Sequence, residues 1–404
     1  MKLSFRKKDN PKRHLLIPEA NQSRGEDQRF EQSILLEAAE HASEKKSIED
    51  LKADLQTAMD LELSTIPPYL SALYSIKEGT NLESVEIIKS VVIEEMLHMV
   101  MVANLLNAVG GTPSIGTFTP NYPSQLPGNV MPQLIVPLAP FSIDSIRTFE
   151  KIEHPEGALQ FLSEKDKELA RNSADPSFTG IGEFYKAIKD TLIKLEKEAQ
   201  NKGESIFTPN RNQVSDEQYY GSGGKIITVN NLTDAIQLID EIVGQGEGTL
   251  GTIFSQEYDP KDDDYKLFGP DVEEYAHYFR FKEIRFGRFY AVTDSAHRDS
   301  PNKGLPTGQP FKVDWGAMYN FRPNPKLSDY DKGSAVYEKS LEFSKTYTAL
   351  LKNINLACNG QPDQLIKGVT LMYDLKYKAM ELMKIPLDDG KYTAGPCFEI
   401  VDCD

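Results

Sequence analysis

A chain of 404 residues is long enough for two or three domains, or for one helical bundle with large insertions. Its formal net charge of -16 and its pI near 5.0 argue against nucleic acid or an anionic membrane surface as a partner. No stretch of about 18 apolar residues is free of charges, and the basic start of the chain has no apolar segment behind it, so the sequence predicts neither a transmembrane span nor a secretory signal.

The first long helix is predicted to begin after Ser47, a favourable N-cap with Asp50 in the position of a capping-box acid. Leucines at helical spacing follow, and Glu62 falls within this apolar part. Pro67 and Pro68 lack N–H groups and must either kink the helix or end it. Because the apolar pattern resumes beyond them, we predict a kink within one continuing helix.

The second helix is predicted from an apolar run over about 85–109, which has no proline or glycine before Gly110. Glu95 and His98 are three residues apart and therefore share a face of this helix. Burying a carboxylate and an imidazole on an apolar helix is costly unless something pairs them, and a metal ion would do so. Glu95 is preferred to Glu94 because the spacing i, i+3 is the one used with histidine in such sites.

The same E-x-x-H spacing occurs again at Glu274 and His277, in a helix-like run over about 271–293. Two E-x-x-H helices, with one glutamate from each of two other helices, form the di-iron and di-manganese carboxylate sites of helical bundles. Glu62 is the candidate on the first helix, and its alternative is a solvent-facing glutamate.

The third helix offers two candidate ligands, Glu241 and Glu247. They are six residues apart and cannot share a face of a regular helix. Glu241 lies in the regular part of the predicted helix, whereas Glu247 lies between glycines, where the backbone can approach closely or bulge. The spacing alone leaves both alternatives open.

The region 111–230 separates the second helix from the third and is long and mixed. Its prolines keep the first part non-helical. The short, β-branched segment 133–138 is expected to form a strand or an extended segment, and 225–229 is expected to form a strand. Helices are predicted from Ser142 to Glu150 and over about 182–201.

The order helix, helix, long crossover, helix, helix is typical of a ferritin-like bundle. We therefore predict a mainly α fold. Its parts would be a tail with a short helix (1–45), a four-helix bundle (46–295) and a C-terminal helical extension (296–404). The extension would contribute helices over about 331–357 and 363–385.

The predicted ligand set is rich in carboxylates, with two histidines, and suits iron or manganese better than zinc. The four carboxylates and two neutral imidazoles sum to about -4 in formal charge, which two divalent cations would cancel. The expected cofactor is thus two metal ions, iron first and manganese as the alternative.

Two further residues are candidates for contact with a substrate. Arg280 follows His277 closely and would hold either a substrate carboxylate or a ligand glutamate. Tyr69 would face the metals as a redox or hydrogen-bonding group, with simple packing as its alternative.

The chain resembles the ferritin-like family that includes the iminophenyl-pyruvate dimer synthase domain of the violacein and rebeccamycin pathway enzymes. The stretches that carry this resemblance are Ile66-Pro67-Pro68-Tyr69-Leu70, Glu95-Met96-Leu97-His98-Met99, Asn104-Leu105-Leu106-Asn107-Ala108-Val109-Gly110-Gly111-Thr112-Pro113, Gln245-Gly246-Glu247-Gly248, His277-Tyr278-Phe279-Arg280-Phe281 and Ala394-Gly395-Pro396-Cys397-Phe398-Glu399. The resemblance implies a bundle with a metal site and favours Glu247 on the third helix. The pathway enzymes of this group couple two imino acids oxidatively.

The leading functional hypothesis is a non-haem di-iron oxidase or oxygenase that uses dioxygen and acts on a small organic molecule, such as an amino-acid-derived metabolite of secondary metabolism. The alternative is a non-enzymatic protein, either an iron store or a metal-stabilised interaction protein. The long crossover favours the enzyme, because it would shape a substrate pocket that a store does not need. The sequence leaves the oligomeric state open.

The three cysteines, Cys358, Cys397 and Cys403, lie in the last fifth of the chain. Their number is odd and their spacing matches no zinc pattern, so we expect reduced thiols in a cytoplasmic protein. A bridge between Cys397 and Cys403 is the weaker alternative.

Overall fold

The computed structural model of the chain describes residues 46–118, 120–155, 179–219, 223–248, 252–255, 275–297 and 300–402. The predicted tail, Glu274 and Cys403 lie outside these ranges. Within the described residues the fold is mainly helical, as predicted, and has no strands. The α-helices in chain order are α1 (Ile48–Ser75), α2 (Leu82–Ala108), α3 (Ile143–Ile152), α4 (Ile181–Gln200), α5 (Leu232–Glu247), α6 (His277–Phe286), α7 (Ala335–Cys358) and α8 (Gln364–Met383).

Helix α1 begins as predicted, because Ser47 and Asp50 form a capping box at its first turn. The helix also continues through Pro67 and Pro68, as expected. Pro68 cannot donate to the carbonyl of Ser64, four residues earlier. The hydroxyl of Tyr122, in the crossover, donates to that carbonyl instead at 2.7 Å. A residue outside the helix therefore satisfies the acceptor that the proline leaves open.

Helix α2 ends where the sequence places its glycine cap. Gly110 has φ of 76°, in the left-handed region, and the N–H of Gly111 donates to the carbonyl of Leu106 at 2.8 Å. Helices α1 and α2 pack along each other. They bury nearly all of the apolar run of α2, and with it Glu94, Glu95 and His98.

The two helices of the crossover pack into the bundle. Helix α3 lies against α6, and α4 lies against both α5 and α1. The C-terminal helices α7 and α8 pack on each other and touch α2 and α1, close to the predicted bounds. The division into tail, bundle and extension stays a prediction.

Two predictions of local structure were wrong. The segment 225–229 forms no strand, because side chains satisfy its backbone in place of a neighbouring strand: Gln213 accepts from the N–H of Val229 at 2.6 Å, and Asn104 donates to the carbonyl of Ile227 at 3.1 Å. For the segment 133–138 the prediction was a strand or an extended segment, and among the described residues it forms no strand but makes the isolated bridge of Val136 to Ser124.

The second error concerns both bounds of the last bundle helix, predicted over about 271–293. Helix α6 begins only at His277, because Ala276 has an extended backbone with φ of -64° and ψ of 152° and Tyr275 makes a bridge to Phe254, so the residues between Glu274 and His277 are not helical. Helix α6 ends at Phe286, because Gly287 adopts a left-handed conformation with φ of 59°. Its N–H and that of Arg288 close the last turn of the helix.

In the part of the chain that the structure covers, no helix has an apolar stretch long enough to cross a membrane. Cys358 and Cys397 are both buried and carry free thiols.

Candidate metal centre

Two groups of buried side chains meet between the helices. Glu62 of α1 lies with Glu95 and His98 of α2, and the same Glu95 lies with Glu153 and His277. In each group, ligand atoms lie within 4.8 Å of one another. Glu95 thus joins two triplets that each contain two carboxylates and one imidazole.

Both histidines direct the Nδ1 atom at the carboxylates. His98 Nδ1 lies 3.6 Å from Glu62 Oε2 and 3.9 Å from Glu95 Oε1. His277 Nδ1 lies 2.9 Å from Glu95 Oε1 and 3.3 Å from Glu153 Oε2. The two rings are stacked with centroids 5.6 Å apart. The five side chains therefore surround one small polar volume.

The outer nitrogen of each histidine has its own acceptor. His98 Nε2 lies 2.7 Å from the amide oxygen of Gln245, and His277 Nε2 lies 2.8 Å from Glu94 Oε2. An amide oxygen and a carboxylate only accept hydrogen bonds, so both Nε2 atoms carry a proton. This arrangement leaves Nδ1 as the atom available to a metal.

Glu94 is in turn held by Arg280, which is fully buried. Arg280 Nη2 donates to both Glu94 oxygens at 3.0 and 2.8 Å, Nη1 donates to the hydroxyl of Ser90, and Nε donates to the carbonyl of Tyr275. The structure thus brings Arg280 to a glutamate that orients His277, not to one of the five clustered residues. Its expected contact with a substrate stays a prediction.

A tyrosine reaches each of the two unshared carboxylates. The hydroxyl of Tyr185, on α4, donates to Glu62 Oε1, and the hydroxyl of Tyr69 donates to Glu153 Oε1. Burial raises the pKa of both phenols well above the usual value, and the adjacent carboxylates add to the effect, so both remain donors. Thr65 holds the shared Glu95 with a hydrogen bond of 2.7 Å to Oε2.

The electrostatics of the cluster favour the binding of positive charge. Burial raises the pKa of Glu95 to about 7, and the charges of Glu153 and Glu62 contribute. Burial lowers the pKa of an imidazole, but the carboxylates around His98 and His277 outweigh it and raise both pKa values. Protons on the histidines and divalent cations would therefore compete for the same place.

The donor set fits a metal by its chemistry. Three carboxylates and two imidazole nitrogens, all at least nine-tenths buried, are oxygen-rich with some nitrogen, which suits iron or manganese. No cysteine belongs to either triplet, as a thiolate-rich zinc site would require.

Of the residues predicted as ligands, the structure brings together Glu62, Glu95, His98 and His277. Glu274 lies outside the described residues.

Glu247 lies beside the cluster and not within either triplet. Its carboxylate accepts from the N–H of Gly182 at 2.8 Å, at the start of α4, and a Cβ on Gly182 would collide with it. Burial raises the pKa of Glu247 to about 8, with a contribution from the charge of Glu153. The alternative candidate, Glu241, accepts from Gln245 Nε2 at 3.1 Å.

Glu153 is the member of the cluster that sequence reasoning missed. It caps the C-terminus of α3, the crossover helix predicted from Ser142. Its signal in the sequence is an acidic residue next to His154, directly after an amphipathic helix. That signal was overlooked because ligands were expected only from the four bundle helices.

The comparisons with known proteins concern the helical core that holds the clustered residues. The ferritin-like family model matches residues 55–286, which include all five clustered residues. Among solved structures, a ferritin-like protein from Caulobacter vibrioides is similar, with 22% identity, a TM-score of 0.57, and 88% of this chain and 99% of that chain covered. At this identity the likeness shows the fold alone. No curated protein is a significant match.

Proposed function

We propose, since the chain belongs to the ferritin-like family, that it is a non-haem di-metal oxidase or oxygenase that acts with dioxygen on a small organic substrate. The observation that carries this proposal is the pair of buried triplets sharing Glu95. We propose iron as the metal, with manganese as the alternative.

Each triplet would hold one metal ion. Glu62 and His98 would hold the first, Glu153 and His277 would hold the second, and Glu95, which belongs to both triplets, would serve both. Glu247 and Glu274 are proposed as further ligands. Two bound iron ions would supply the one-electron changes of oxidation state that the activation of dioxygen requires.

The two tyrosines would leave one oxygen of each terminal carboxylate for a metal. Tyr185 occupies Oε1 of Glu62, whereas Oε2 faces His98. On the other side Tyr69 occupies Oε1 of Glu153, whereas Oε2 faces His277. The hydroxyls thus fix which oxygen points inward and hold a proton beside the centre.

Packed aromatic rings, among them Tyr69 beside Glu153, would keep water from this side of the centre. The ring of Tyr69 lies 4.6 Å from that of Phe149 and 5.2 Å from that of Phe281, measured between centroids, and these three residues are buried. Excluding water strengthens the charge interactions inside the site.

The crossover supports an enzyme over an iron store. It gives the centre Glu153 and Tyr185, so it takes part in building the site. The proposal of an amino-acid-derived substrate rests on the sequence resemblance to the imino acid-coupling enzymes, and so does a place in secondary metabolism. Tyr69 and Arg280 are the proposed substrate contacts.

Reconstitution with ferrous iron under anaerobic conditions, followed by a pulse of dioxygen, tests this proposal. Elemental analysis should give about two iron ions per chain, the number that the ligand set can hold. The reduced protein should then consume roughly stoichiometric dioxygen and stop, until a reductant and a substrate are supplied.

Matched glutamine variants serve as controls. Glu95→Gln should lose tight binding of at least one iron and the consumption of dioxygen, whereas Glu241→Gln should keep both. An iron content at or below one per chain would contradict a dinuclear centre. Continued oxidation of ferrous iron, with many ions retained per chain, would contradict the proposed enzyme and support an iron store.

A further inference from the structure

We infer that the two metal positions are inequivalent and fill in order, the position at His277 first. This inference rests on the proposed metal centre. It comes from one difference between the two metal positions, whose ligands otherwise match.

The ligands of the two positions are alike in kind. Each position would have the shared Glu95, one histidine through Nδ1, and one further glutamate whose Oε1 accepts from a tyrosine. That glutamate is Glu62 at the His98 position and Glu153 at the His277 position. The three residues of each triplet therefore give neither position an advantage in formal charge.

The two positions differ in the group that accepts a hydrogen bond from Nε2 of each histidine. His98 donates from Nε2 to the neutral amide of Gln245, whereas His277 donates from Nε2 to the carboxylate of Glu94. A carboxylate accepts a hydrogen bond more strongly than an amide oxygen does, and so leaves more electron density on the other ring nitrogen. The Nδ1 of His277 is therefore the better metal donor.

Both groups that accept from Nε2, the amide of Gln245 and the carboxylate of Glu94, are held in place. Gln245 donates from Nε2 to the carbonyl of Gly223 at 3.2 Å and to Glu241 at 3.1 Å, which fixes its amide oxygen toward His98. Both carboxylate oxygens of Glu94 also accept from Nη2 of the fully buried Arg280. The inequivalence is thus built into the folded chain and is not an accident of one mobile side chain.

Manganese titration followed by electron paramagnetic resonance tests the order of filling. At one Mn²⁺ per chain, the wild type should show the spectrum of an isolated ion, and a second equivalent should convert it to that of a coupled pair. Two equal, independent positions would fill at random, so coupled pairs would appear from the first additions beside singly loaded and empty protein, and this result would overturn the inference. Failure of the wild type to bind Mn²⁺ or Fe²⁺ would overturn the proposed function itself.

Two alanine variants identify the position that fills first. His277→Ala should abolish the tighter binding step and leave the weaker one. His98→Ala should keep the tighter step. The reverse assignment would overturn the inference even if filling is ordered.

Two further variants test the cause. Glu94→Gln makes both outer acceptors neutral and should weaken the tighter step by about 10–100-fold, the usual effect of removing such a partner. Because this variant leaves Arg280 buried without its carboxylate, an exchange on α5 provides the second test. Gln245→Glu together with Glu241→Gln moves a carboxylate behind His98 at constant charge, and should strengthen the weaker step by about 10-fold. Glu241→Gln alone is the matched control. Unchanged binding in the exchange variant would show that the acceptors do not set the order.

Discussion

Replacing Arg280 by leucine tests whether this residue serves the fold and the centre or a substrate. The guanidinium is fully buried and contacts Glu94, Ser90 and the carbonyl of Tyr275. Arg280→Leu would leave the carboxylate of Glu94 buried beside an apolar side chain. Breaking a buried ion pair by removing one partner costs about 3–5 kcal/mol, because the remaining charge is uncompensated. We expect the free energy of unfolding to fall by that amount.

Denaturant unfolding of the metal-free protein measures this effect. The double variant Arg280→Leu, Glu94→Gln removes both charges and keeps an acceptor for His277, so it should cost less than the sum of the single variants, by about 0.5–3 kcal/mol. Arg285→Leu is the matched control. It breaks the pair of Arg285 with Glu150 at 2.7 Å, where the arginine side chain is 28% exposed, and should cost less than Arg280→Leu.

One result would refute this reasoning. If Arg280→Leu unfolds within about 1 kcal/mol of the wild type and loses only affinity for a substrate carboxylate, the contact with Glu94 contributes little. Arg280 would then act only through its proposed contact with a substrate.

Three other predictions concern single side chains. Glu153→Gln should remove one metal per chain in elemental analysis, whereas Glu247→Gln should only weaken binding, because its carboxylate already accepts from a backbone N–H; equal retention in both would remove Glu153 from the ligand set. Tyr185→Phe and Tyr69→Phe should each lower the free energy of unfolding by about 1–3 kcal/mol, because a buried carboxylate oxygen loses its donor; no change in unfolding would argue against these hydrogen bonds. Burial raises the pKa of Glu283 from 4.5 to about 8. Its stabilising contribution is therefore complete below pH 4.5 and is lost as the pH rises toward 8. The melting temperature of Glu283→Gln should decline less than that of the wild type over this pH range.

Much of the helical framework was predictable from local patterns. The capping box at Ser47, the apolar run of α2 and the glycine at its end each act within a few residues, and periodicity detects such signals. The i, i+3 spacing also placed Glu95 and His98 on one face, where the structure has them. These features depend on the helix alone and not on what packs against it.

The missing part of the site depends on contacts between distant segments. Glu153 lies 124 residues before His277, and Tyr185 lies 123 residues after Glu62. No periodicity relates such positions, and a helix in a proline-rich crossover gives no local sign that its end will reach the bundle. The prediction of the crossover as an insertion around the site therefore missed that it supplies one carboxylate and one phenol.

Glu94 shows that contacts between distant segments also decide the role of a residue directly beside a predicted ligand, Glu95. Neighbours on a helix differ in direction by about 100°, so Glu94 could not share the inward face of Glu95. Sequence reasoning favoured Glu95 for its i, i+3 spacing to His98 and gave Glu94 no role. Both are nonetheless buried, because α6 brings His277 between them: Nδ1 faces Glu95 and Nε2 faces Glu94. One imidazole thus connects two adjacent glutamates of α2 in different roles. No pattern in the sequence around Glu94-Glu95 indicates this contact, because His277 reaches the pair only once α2 and α6 are packed.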